Sequence, residues 1–170
     1  ERASVETWTE SFLPYTDDLV NLIVVSSAER IPAAEILRVL APGGTLLSSQ
    51  GGAWIAEVKP QTAGTDAWPQ ALFDASNNAV SNDTVVGSPF HLQWVASPRN
   101  ARHHEHLASI SVVVSAGGRL ISITDEAPTG SILLAPQWQV VALDAHNGLE
   151  LWRRPMDTWE NHLRGFRSGP

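Results

Sequence analysis

The sequence predicts an α/β segment followed by an all-β segment, and three observations predict it. First, the apolar run "LVNLIVV" (Leu19 to Val25), a helical pattern and "TLLSS" (Thr45 to Ser49) follow one another, which is the order of a βαβ unit of about thirty residues. Second, the composition changes near residue 58, and residues 59 to 92 are rich in Pro, Gly, Asn, Ser and Asp. Third, "VVALDAHNGLELWRRP" (residues 140 to 155) places two β-type runs around Asn147-Gly148.

Each element has its own signal. Leu19 to Val25 is nearly continuous in apolar residues, as in a parallel strand covered on both faces. Pro32 suits a first helical position, Ala33, Ile36, Leu37 and Leu40 fall on one helical face, and Pro42-Gly43-Gly44 is a stop signal. Thr45 to Ser49 then reads as a second strand joined by a right-handed crossover. Residues 59 to 92 lack either periodicity and read as a linker or lead-in loop. Beyond it, "HLQWVASP" and "SISVVVSAGGRLISITDE" alternate as short strands around the turn Ala116-Gly117-Gly118. Val140 to Leu143 and Leu149 to Trp152 form a hairpin, since Asn-Gly supplies two residues at positive φ in a tight turn. The organisation expected is thus 1–58, 59–92 and 93–170.

Composition narrows the function. A chain of 170 residues can bury roughly 70% of its unfolded surface. Eighteen acidic residues against eleven basic ones give a formal charge of −7, with no segregated basic patch, so a nucleic-acid partner is not expected. No apolar run approaches the roughly 20 residues that span a bilayer, and "ERASVETWTE" is not a signal peptide. Absence of cysteine excludes disulfides and thiolate metal sites and suits either side of a membrane.

Two stretches resemble known families. "LPYTDDLVNLIVVSS" followed by "EILRVLAPGGTLLSS" looks like the later part of a class I S-adenosylmethionine-dependent methyltransferase, over about residues 5 to 50, with Arg38 to Gly44 its most specific piece. The resemblance implies a partial Rossmann-like fold and S-adenosylmethionine as cofactor, with Thr9, Glu10, Ser26 and Ser27 forming one wall of its pocket. Thr9 stands where relatives carry an aspartate near the adenine, and Asn21 where an aspartate commonly opens the strand. The glycine-rich loop that approaches the cofactor would precede Glu1. Further on, Ala142, Asp144, Gly148 and Trp152 resemble the A-x-D-x-x-x-G-x-x-x-W repeat of quinoprotein (PQQ-like) β-propellers, with Asn147 where a threonine is usual. "AWPQALFDASNNAVS" is similar to the tryptophan-proline segment that opens many such propellers. That resemblance implies about one four-stranded blade, in which Asp144 ties down the turn and Trp152 docks between blades. It also implies an extracytoplasmic setting and a protein or small-molecule ligand. The repeat reports propeller geometry and does not by itself imply a quinone.

Closure of a propeller takes roughly four to eight blades, so the joint expectation is an internal fragment of a bacterial fusion protein. Its parent would be a methyltransferase with a propeller binding module, the fragment itself being inactive. The alternative is a non-catalytic interaction scaffold with a degenerate methyltransferase-like part. One metal-type cluster remains, "RHHEH", in which His103, His104 and His106 stand beside Glu105, a ligand set suited to zinc. On a strand His104 and His106 share one side and His103 takes the other, so at most two neighbours and a distant residue such as Asp125 would converge. A solvated or hydrogen-bonded loop is the plainer reading. No serine sits in a G-x-S-x-G elbow, and a hydrolase has no support.

Overall fold

The structure is a computed structural model that describes residues 3–26, 31–97, 109–128 and 134–157. The chain separates into two compact units, Glu1–Thr62 and Ala63–Pro170.

In the first unit the β-branched run forms β1 (Val20–Val25), followed by α1 (Ala33–Val39) and by β2 (Leu40–Gln50), which pairs parallel to β1. Gly51 and Gly52, at φ 58° and 86°, supply the two positive φ values of a two-residue hairpin. β3 (Ala53–Val58) returns antiparallel to β2, giving the order β1-β2-β3. The helix is shorter than its sequence pattern. Leu40 is already extended (φ −68°, ψ 127°), because Pro42 has no N–H to continue the ladder and Gly43 takes φ 79°. Pro42-Gly43-Gly44 therefore lies inside β2, where the register jumps from Val20 opposite Leu40 to Leu22 opposite Thr45. A Cβ at Gly44 would stand 2.7 Å from the Ala41 carbonyl oxygen and 3.1 Å from that of Asn21, so this close approach needs glycine. Ile36, Val39, Leu40 and Ala41 are the buried core, while Leu37, expected on the inner face, is exposed. Cross-strand rows Leu22–Thr45–Val58 and Val24–Leu47–Ala56 share one sheet face, and Leu22, Val24 and Val58 on it are more than half exposed.

These elements overturn the α/β class. Among the described residues the chain is nearly all-β, with one seven-residue helix and seven strands in sheets of three and four. Seven residues make a helix of only about 10 Å, too short to screen both faces of a doubly covered parallel sheet. The sheet extends through an antiparallel hairpin instead.

In the second unit β4 (Ile110–Ala116), β5 (Arg119–Asp125), β6 (Trp138–Asp144) and β7 (Glu150–Pro155) pair antiparallel in sequence order. Gly117 and Gly118 turn the first hairpin at φ 56° and 71°. Trp68 forms an isolated bridge with Ser115 of β4, donating to its carbonyl at 3.0 Å and accepting from its N–H at 2.8 Å. Phe73 packs on Trp68 with ring centroids 5.4 Å apart and is buried, as are Trp138 and Ala142 on one face of β6 and Val141 and Leu143 on the other. Buried Asp125 is satisfied by the N–H groups of Ala127 and Gln137.

Two local expectations are corrected. "HLQWVASP" forms no strand over its described residues 91–97. Its side chains hold the β6–β7 turn, with Gln93 donating to the His146 carbonyl at 2.9 Å and the Trp94 indole to that of Ala145 at 3.1 Å. That turn has five residues, Ala145 to Leu149, with only Gly148 (φ 70°), and not Asn147, at positive φ. The Asp144 side chain accepts from the N–H groups of His146 and Asn147, and these bonds hold the longer loop in place of a two-residue turn.

Candidate functional site

Residues 3–19 of the first unit have no regular secondary structure, so something other than a ladder must hold them. Arg38, in the last turn of α1, supplies it. Its Nε and Nη2 donate to Glu35 at 2.8 and 2.5 Å, Nη1 donates to Asp17 at 2.6 Å, and the carbonyls of Tyr15 and Leu13 accept at 3.0 and 3.3 Å. Glu35 also accepts from the Leu13 N–H at 2.7 Å. The Arg38 hydrogen bonds, then the Leu13 N–H, bring the Glu35 carboxyl down to about 2, and Glu35 and Asp17 raise Arg38 above its ordinary value. Each guanidinium nitrogen already has a protein partner. Arg38 is consequently a clamp on the 13–17 segment and not an anchor for a ligand.

The clamped segment borders a cavity of about 380 Å³ lined by Ser4, Glu6, Trp8, Leu13, Pro14 and Tyr15. The Trp8 indole donates to the Phe12 carbonyl at 2.5 Å, and the two rings meet edge to face with centroids 5.7 Å apart. Sequence reading missed this site. Its signal is slight, a tryptophan and a tyrosine seven residues apart with a Leu-Pro pair between them.

The residues expected to bind S-adenosylmethionine do not line that cavity. Thr9 and Glu10 are exposed beside it, and Ser26 is exposed just past the end of β1. Ser27 lies outside the described residues, as do the proposed metal ligands His103, His104 and His106. Asp125, offered as their distant fourth group, is buried and engaged with two backbone N–H groups. Among the described residues no group of three His, Asp or Glu side chains could hold a metal ion. No helix among them is long and apolar enough to cross a membrane.

The second unit carries a different kind of surface. Val114, Ile121, Ala142 and Trp152 are successive cross-strand partners, forming one row across all four strands. The next row on that face is Val112, Ile123, Val140 and Arg154. Trp152 is 39% exposed, and the Arg154 guanidinium lies 5.6 Å from its ring centroid, a cation–π contact between residues two apart on one strand face. On the opposite face Arg153 is tied to Glu150 and to Glu126. Hydrogen bonding to Arg153 holds Glu150 below the usual carboxylate range. One face thus presents aliphatic rows ending in Trp152 and Arg154, and the other ends in neutralised charge.

Compared with family models, with curated proteins and with solved structures, the chain matches none, so its function rests on these residues.

Proposed function

We propose that this chain is a non-catalytic binding scaffold, in which a propeller-type four-stranded meander docks a protein partner on the face that carries Trp152. The observation that supports this most is the row Val114–Ile121–Ala142–Trp152. Ala142 in it is fully buried, so a partner meets the row at its outer end, where Trp152 is 39% exposed and offers an aromatic anchor, the residue type that dominates binding energy at interfaces. The partner best suited is another antiparallel sheet packing face to face at about 10 Å. Pairing along the β7 edge is disfavoured. Leu151 interrupts the β6–β7 register and Pro155 offers no N–H, two features that blunt an edge against further strands.

The scattered, exposed positions of Thr9, Glu10 and Ser26 support binding over methyl transfer, and the net charge of −7 favours a protein over a nucleic acid. A second copy of the chain serves as the test sheet. Sedimentation equilibrium at rising concentration should show reversible association, and Trp152→Ser should weaken it about tenfold, the loss of roughly 1.4 kcal/mol. Calorimetry with S-adenosylmethionine should show no saturable heat. A chain that stays monomeric throughout, or associates equally well with Ser at position 152, or binds S-adenosylmethionine saturably, would overturn the proposal.

A further inference from the structure

The cavity of the first unit has a chemistry of its own, separate from sheet docking. Its lining holds two aromatic residues, Trp8 and Tyr15, two apolar ones, Leu13 and Pro14, and, among the described residues, one carboxylate, that of Glu6. Among the described residues no lysine or arginine lines it, and no hydrogen bond or ion pair engages Glu6. The tryptophan is held by its bond to the Phe12 carbonyl, and the backbone on the other side is held by Arg38 through Leu13 and Tyr15. Trp8 and the backbone at Leu13 and Tyr15 are therefore held before any ligand arrives, which lowers the ordering cost of binding.

Aromatic faces carry negative potential and attract cations, most strongly when the cation is weakly hydrated. An unpaired carboxylate beside them adds attraction of the same sign, and a chain of net charge −7 draws cations toward its surface. A bare metal ion does not fit this lining, because a single carboxylate gives too few oxygens where calcium takes about six to eight. The volume of about 380 Å³ lies near the lower end of small-molecule pockets, about 300 to 1,000 Å³.

We infer that this cavity binds a small organic cation carrying a methylated ammonium group, with Trp8 and Tyr15 against the methyl groups and Glu6 as counter-charge. The test titrates choline into the full chain by calorimetry, beside 3,3-dimethylbutanol, which has the same shape and no charge. Choline should bind saturably, and the neutral isostere at least about tenfold more weakly. Glu6→Gln, an exposed change that keeps the side-chain volume, should weaken choline by about three- to tenfold and leave the isostere unchanged. Trp8→Leu should abolish saturation, with the circular dichroism spectrum checking that the fold survives. If Trp8→Leu unfolds the chain, Tyr15→Leu provides the same comparison. Equal binding of choline and its isostere, no saturation by choline, or full affinity in Glu6→Gln would each overturn the site.

Discussion

At the scale of single residues, Gly148 and Glu35 show how one position can carry a local structure. Gly148 combines φ 70° with the Trp94 ring, and an added Cβ would stand 2.4 Å from Trp94 Cε3. Gly148→Ala should therefore lose more than about 2 kcal/mol, positive φ plus displacement of a ring. Gly51→Ala is the control. Its φ is 58° with nothing within 4 Å of the added Cβ, so it should cost only about 1–2 kcal/mol. Urea midpoints of the two variants measure the difference, and equal losses would show that the Trp94 contact carries no energy. Glu35 makes a prediction in pH. Its folded carboxyl titrates at about 2 against an ordinary 4.5, so between those values the unfolded chain binds more protons. The stabilisation is complete above about pH 4.5 and is lost as pH falls toward 2. Replacing Glu35 by Gln should reduce the stability lost across that window, measured by thermal unfolding at stepped pH. Identical wild-type and variant profiles would remove the clamp.

At the scale of elements, α1 depends on a residue from beyond the next two strands. Lys59 Nζ donates to the carbonyls of Leu37 and Leu40 at 2.6 and 2.7 Å and to Asp18 at 2.5 Å, satisfying the acceptors that a helix end leaves open. Its backbone pairs with Gly43 and Gly44, so the end of β3 closes the register jump in β2. Lys59→Met keeps the aliphatic stem and removes the three donors. It should cost about 1–3 kcal/mol, the penalty for acceptors left without partners, read from denaturant unfolding. A loss within error of zero would mean that water caps the helix as well as the ammonium does. In the loop after Ala63 the same economy is local. Asp66 and Asp83 each accept from the other's segment, Asn82 N–H to Asp66 and Asp66 N–H to Asp83. Bonds from the Val86 and Val85 N–H groups hold the Asp83 carboxyl below its usual range.

At the scale of the whole molecule, the long stretch between β3 and β4 is held at separate points among its described residues: the Trp68 bridge to Ser115, the Gln93 and Trp94 bonds to the β6–β7 turn, and the Ser109 carbonyl that accepts from the Asp125 N–H. Further along it Phe90 and Leu92 are 96% and 84% exposed and stand in no strand. Chymotrypsin should cut first at Phe90 or Leu92, since proteolysis concentrates where backbone is unpaired and exposed. Phe73 and Trp138, both buried, should be cut only after unfolding. Terminal sequencing of the first products decides the matter, and a first cut within β2 or β3 would contradict this distribution of order.

Read alone, the sequence placed β1, the start of α1, the Gly117-Gly118 turn and the strands on either side of Asn147-Gly148, because their signals are local: apolar runs, proline and glycine. It did not determine the class of the first half. The helical spacing of Ile36, Leu37 and Leu40 is real, but the backbone turns extended at Leu40, and the hairpin "QGGAW" adds a third strand that was readable only as a glycine pair. Contacts between distant residues decided the rest. Arg38 meets carbonyls at Leu13 and Tyr15, Trp94 meets the β6–β7 turn, and Trp8 and Tyr15 line one cavity. None of these has a periodicity, since a side chain's reach to a carbonyl more than twenty residues away depends on where the chain has already folded. The sequence settles which segments are extended or helical through sterics acting over a few residues, and only the tertiary structure settles which side chains end up facing one another.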